Sequence, residues 1–121
     1  MNFLNLYYFR VAAEELSFTN AAKRLFISQQ SLSNHISRLE NEFGVILFNR
    51  TQPITLTEAG KSLYASSKVL LHQKEQIEKS MQDIRDFRKG ELTLGISTSR
   101  GAVMLPKILP EFRSAFPQIK L

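Results

Sequence analysis

Two serines, Ser17 and Ser28, stand where helix caps are expected. Between them there is room for one short helix and a turn, and this spacing constrains the fold more than any other feature. The short helix runs through Ala21, Ala22 and Leu25, and its small alanines let a neighbouring helix approach closely. Phe26 and Ile27 make an apolar turn. Behind Ser28, the side chains of Leu32, Ile36, Leu39 and Phe43 recur at helical spacing and are predicted to point inward. Gln29, Gln30, Ser33, Asn34 and Ser37 then point out. Upstream, Leu6, Phe9, Ala13 and Leu16 form one stripe on a helix over residues 3–16. A supporting helix followed by two helices across a tight turn is a helix-turn-helix.

Gly44 is placed to end the third helix as a left-handed cap. Two apolar segments follow, Val45 to Phe48 and Ile54 to Leu56, separated by Asn49-Arg50-Thr51-Gln52-Pro53, which predicts a hairpin-like wing. Thr57 then caps a long helix, with Glu58 complementing its dipole, running to about Arg88. In that helix Leu63, Leu70, Ile77 and Ile84 recur at heptad spacing, while the companion positions Ser67, Lys74, Met81 and Arg88 are mostly polar. So narrow a seam predicts antiparallel pairing between two subunits, aided by Tyr64, Val69 and Leu71. Packing of Leu63 on its own head is the alternative for that residue.

After Gly90, Leu92, Leu94 and Ile96 alternate with polar or small residues as in a strand. Leu105, Ile108, Leu109, Phe112 and Phe116 are helically spaced, opened by Pro106 and closed near Pro117, and Gln118 to Leu121 reads as the start of another strand. The fold class expected is mainly α. A winged helix-turn-helix over residues 1–57 leads into a linker helix over 58–89 that dimerises. Residues 90–121 are expected to be the first strand and helix of a truncated α/β domain.

Composition bounds the function. The 121 residues carry a formal charge of +5, which suits a polyanionic partner. The head itself is nearly balanced, with Arg10, Lys23, Arg24, Arg38 and Arg50 against Glu14, Glu15, Glu40 and Glu42. Its capacity to bind nucleic acid must therefore rest on where groups sit. Cysteine is absent, which excludes disulfides and thiolate metal sites. No secretory signal and no bilayer-spanning run is expected, so a cytoplasmic protein with no membrane partner is the default. His35 and His72 lack companion ligands or nucleophiles in sequence, and His35 reads as a polar neighbour of the exposed face of the third helix. No catalytic residues, metal site or cofactor are expected.

A helix start offers backbone N–H groups and a positive dipole end, suited to a phosphate. Gln and Asn side chains can bond to adenine in the major groove, and Ser to several bases. Gln29, Gln30, Ser33 and Asn34, with Ser28 and Ser31 at the helix start, are thus candidate DNA-binding residues. Arg38 is placed for phosphate, and Arg50 for the backbone or minor groove. Lys23 and Arg24 lie on the helix that crosses the backbone in such motifs. The alternative for each is a solvated surface group.

The pattern of Leu6, Phe9, Ser17-Phe18, Ala21-Ala22, Leu25, Ser28-Gln29, Ser33, Ile36, Arg38-Leu39-Glu40, Gly44, Leu47-Phe48, Arg50 and Leu56-Thr57-Glu58-Ala59-Gly60 resembles the amino-terminal part of LysR-type transcriptional regulators. The resemblance spans essentially the whole chain. It implies a winged helix-turn-helix, a dimerising linker helix and an effector domain of periplasmic-binding-protein type. Ser97, Thr98, Ser99 and Arg100 occupy the place where such proteins help bind a small inducer, and a simple polar loop is the equal alternative. Gln30 and Asn34 stand where the family usually has Pro or Ser and often Arg, and Gln52-Pro53 replaces a more basic wing, so base preference is not inherited from relatives.

The function expected is sequence-specific binding of double-stranded DNA at a two-fold-related site by a homodimer, or a tetramer in a full-length protein. A/T-rich half-sites are expected from Gln29, Gln30 and Asn34. A small-molecule inducer is expected only with a full effector domain. A winged-helix protein-interaction module that binds no DNA is the alternative, favoured by the modest head charge, and an enzyme ranks third.

Overall fold

In the computed structural model, which describes residues 1–86 and 89–121, the Asn2 side chain opens helix α1 (Phe3–Glu15) by accepting from the Asn5 backbone N–H. Leu6, Phe9, Val11, Ala12 and Ala13 are buried along it, a wider face than the single stripe expected. Leu16, expected inside, is exposed because it closes α1 in the left-handed region at φ 49°, which turns its side chain outward. Ser17 Oγ accepts from the Asn20 N–H and starts α2 (Phe18–Leu25). Phe26 ends α2, also left-handed, and is 95% exposed. Ser28 Oγ accepts from the Ser31 N–H and starts α3 (Gln29–Phe43), which Gly44 closes at φ 67°. The caps at Ser17, Ser28 and Gly44 stand where the sequence predicted them, whereas those at Asn2, Leu16 and Phe26 were not foreseen.

Leu32, Ile36 and Leu39 on α3 are fully buried against Phe9, Ala21 and Ala22 in one core cluster. Phe43, expected inward, is 44% exposed, because the last turn of α3 lies beyond that core. The wing is shorter than expected: β1 (Phe48–Asn49) pairs antiparallel with β2 (Thr55–Leu56), Phe48 opposite Leu56. Val45 and Ile46 are exposed and outside any strand. Phe48 turns its ring into the head, with centroids 5.5 Å from Phe9 and 5.2 Å from Phe18.

Thr57 Oγ1 accepts from the Gly60 N–H and starts α4 (Glu58–Arg85). A Cβ on Gly60 would lie 2.1 Å from the Leu47 carbonyl oxygen, so only glycine lets α4 begin so close to the wing. Gly60, Ser67 and Leu71 are the buried residues of α4, and Leu63 and Tyr64 pack on the head core. Ser67 is fully buried, its Oγ donating to the Tyr64 carbonyl. Tyr64, expected to aid pairing between subunits, packs on the head core, and Leu71 is buried within the first unit. Leu63 takes its alternative role there. The expected extension of α4 to Arg88, with Arg88 as a companion position, lies outside the described residues.

The described residues form two compact units, Met1–Gln73 and Lys74–Leu121. In the second, β3 (Lys89–Glu91) runs parallel to β4 (Gln118–Lys120), connected through α5 (Thr98–Ala115). The expected strand over Leu92, Leu94 and Ile96 is displaced: β3 precedes it, its three residues pairing in register with the three of β4. Leu92 N–H still donates to the Lys120 carbonyl. The helix begins at Thr98 rather than at Pro106. Pro106 and Pro110 are taken up inside it, each giving up one backbone hydrogen bond.

Candidate nucleic-acid interface

The three buried anchors of α3 face the core and leave its opposite side bare. Gln29, Gln30, Asn34, Ser37 and Arg38 are exposed there, with Ser31 and Ser33 half-buried at the margin. The first turn carries no acidic residue, so nothing opposes an anion at the positive end of the helix. Ser28 is exposed, but its hydroxyl is engaged in capping.

The amides on this face are ordered by one another. Thr19 Oγ1 donates to Gln29 Oε1 at 3.1 Å, joining α2 to the start of α3. Gln30 Nε2 donates to Asn34 Oδ1 at 3.2 Å, one helical turn on. Ordering before contact lowers the entropy lost when such side chains engage a groove. Thr19 was missed in the sequence, where nothing but its short polar side chain near Ser17 marks it.

The basic residues separate into two groups. Arg38 and Lys23 are exposed and have no ion pair among the described residues. Arg24 is engaged instead: its Nη1 lies 2.7 Å from Glu14 and 3.4 Å from Glu15. The hydrogen bond to Glu14, opposed by partial desolvation and helped by the charges of Glu14 and Glu15, raises its pKa above the ordinary value. Arg50 is also tied inward, donating to Glu40 Oε1 at 2.6 Å with its guanidinium 5.1 Å from the Phe18 ring centroid. Both arginines were expected to face DNA, and in this structure both are paired with carboxylates whose approach depends on tertiary folding.

His35 corrects a further expectation. Its Nδ1 meets Asn5 Oδ1 at 2.6 Å and its ring stands edge-on to Tyr8, so it fastens α3 to α1 rather than bordering the exposed face. Glu40, to which the sequence reading gave no role beyond its charge, is buried on α3. The signal was available, because it lies four residues beyond the buried Ile36.

Of the heptad residues, Leu70, Ile77 and Ile84 are exposed along α4, whereas Leu63 is partly buried on the head. Ser97 holds the N-cap position of α5 without a side-chain capping bond, and Thr98, Ser99 and Arg100 form its exposed first turn. They are therefore a helix start and not the polar loop considered as their alternative. Among the described residues no group of His, Asp and Glu could hold a metal ion, and no helix is long and apolar enough to cross a membrane.

Residues 3–61 match the family described as bacterial regulatory helix-turn-helix protein, lysR family. A probable RuBisCO transcriptional regulator of Thalassiosira pseudonana is 42% identical over 114 residues, covering 93% of this chain and 37% of that protein. The chain thus spans well under half the length of the curated relatives it matches. Among solved structures, the LysR-family regulator CbnR superposes with a TM-score of 0.86 at 28% identity, over 99% of this chain and 42% of that one. The DNA-binding domain of BenM in complex with catB site 1 DNA superposes with a TM-score of 0.69 at 36% identity, over 71% of this chain and 94% of that one. By agreement in both sequence and fold, the chain belongs to the LysR family of helix-turn-helix regulatory proteins.

Proposed function

We propose that this chain binds double-stranded DNA sequence-specifically, as the amino-terminal part of a transcriptional regulator. Each head places α3 in a major groove, and two heads on a homodimer meet a two-fold-related site. The observation that carries this reading is the exposed, acid-free row of Gln29, Gln30 and Asn34, mounted on three fully buried anchors. A solved relative at 36% identity is a DNA complex of the matching domain.

In this reading Gln29, Gln30, Ser33 and Asn34 contact base edges, while Arg38 and Lys23 contact phosphate. Residues 1–57 act as the DNA-binding domain, 58–89 as the linker and 90–121 as the start of an effector domain that takes a small inducer. Leu70, Ile77 and Ile84 supply the apolar seam between two linker helices, since all three are exposed on α4. Two linked heads raise the effective concentration of the second contact, offsetting the weak affinity of one nearly neutral head.

Titration against a random duplex, and against sequences enriched from a random pool, tests this directly. Strong salt dependence and A/T-rich enriched half-sites are the expected results. A protein-interaction role remains the competing reading, favoured by the internal pairing of Arg24 and Arg50. Failure to bind any duplex at low salt would select it.

A further inference from the structure

Glu40 and Arg50 form a joint beneath the exposed face of α3. Glu40 is 9% exposed, with Oε2 accepting from the Leu47 backbone N–H at 2.7 Å and Oε1 accepting from Arg50 at 2.6 Å. The Arg50 guanidinium covers the Phe18 ring, and Phe18 packs edge-on against Phe48 of β1. On its other side the Leu47 carbonyl accepts from the Thr57 N–H at 3.1 Å and lies against Gly60. One carboxylate and the backbone of one residue, Leu47, therefore link α3, the wing and the start of α4.

A buried carboxylate is tolerated when its oxygens are both hydrogen-bonded and its charge is matched. Leu47 and Arg50 meet that requirement together. Arginine suits the position because its planar group donates along an edge while stacking on a ring, which lysine cannot reproduce. A side chain so engaged sets geometry instead of neutralising a ligand.

We propose that Arg50 is a positioning residue, holding the wing at a fixed angle to α3 through Glu40, and is not a phosphate contact. The proposal rests on the DNA-binding reading above. It separates from a phosphate role by charge. Removing a phosphate contact lowers the dependence of log affinity on log salt by about 0.9, whereas removing a positioning group leaves that slope unchanged.

The test uses the full 121-residue chain and the duplex enriched from a random pool, with affinity measured across a salt series. Arg50→Met and Glu40→Gln should each weaken binding roughly tenfold with the wild-type slope, and the double variant should be little worse than either single. Arg50→Lys, which keeps the charge, should still bind less tightly than wild type. Arg38→Met serves as the reference that flattens the slope. The proposal is overturned if Arg50→Met flattens the slope like Arg38→Met, Arg50→Lys binds as wild type, and Glu40→Gln binds more tightly through loss of a negative charge.

Hydrogen exchange without DNA supplies an independent readout. Wing amides from Leu47 to Leu56 should exchange faster in Arg50→Met while the mid-helix amides of α3 stay protected, and unaltered wing exchange would count against the joint. If wild type binds no duplex, the DNA-binding reading falls, and the exchange result still decides whether Glu40 and Arg50 hold the wing.

Discussion

The two units treat apolar residues in opposite ways. In Met1–Gln73, Leu6, Phe9, Leu32, Ile36, Leu39, Leu47 and Phe48 are at most 1% exposed. In Lys74–Leu121, Ile77, Met81, Ile84, Leu94, Val103 and Ile108 are between 47% and 61% exposed. Three helices and a wing can close around a centre, with Phe48 as the plug. Two short parallel strands and one crossover helix cannot, because each sheet face and helix face needs a partner layer. The first unit is therefore held by its own core, and the second presents surface suited to further packing.

The largest test of that contrast is a pair of truncations. Ile36→Ala should destabilise the chain by about 2–5 kcal/mol, since it opens a cavity in a dry core. Ile108→Ala should cost under about 1 kcal/mol because its side chain is already half exposed. Equal thermal shifts for the two variants would break the comparison.

A glycine pair sharpens it. Gly60→Ala forces the Leu47 backbone to move and should cost about 1–3 kcal/mol, read by denaturant unfolding. Gly95→Ala meets nothing within 4 Å and should be neutral or stabilise by up to about 1 kcal/mol, through the unfolded chain. Next in size, Ser28→Ala removes the cap of α3 and should cost about 1 kcal/mol in thermal unfolding.

The smallest effects divide the cations. Lys23→Ala should leave the melting temperature unchanged and reduce the salt slope for duplex binding. Arg24→Ala should leave the slope unchanged, because its charge is already matched by Glu14 and Glu15. The same slopes for both variants would show that ion pairing in the head does not govern which cations meet DNA.

The sequence made the helix starts legible because caps are local. Ser17, Ser28 and Thr57 each bond to an N–H three residues on, and Gly44 needs only its own backbone freedom. What local patterns missed was tertiary. The buried side of α4 runs through Gly60, Leu63, Tyr64, Ser67 and Leu71, where the approach to the head favours small residues. A hydropathy pattern passes over Gly60 and Ser67 and finds the exposed Leu70, Ile77 and Ile84 instead. Likewise the exposed row on α3 followed from its spacing, whereas the diversion of Arg24 and Arg50 depends on carboxylates in other elements. Leu16 and Phe43 also failed for non-periodic reasons, since a left-handed cap turns Leu16 outward and the last turn of α3 carries Phe43 past the core.

The bond from Gln30 to Asn34 joins two of the residues proposed to read bases into one unit. A change at either one alters what the other can offer, by freeing an oxygen or an amino hydrogen. In the proposed DNA-binding role, new target preferences on this scaffold arise through paired replacements, and a residue-by-residue code would misjudge how to redirect it.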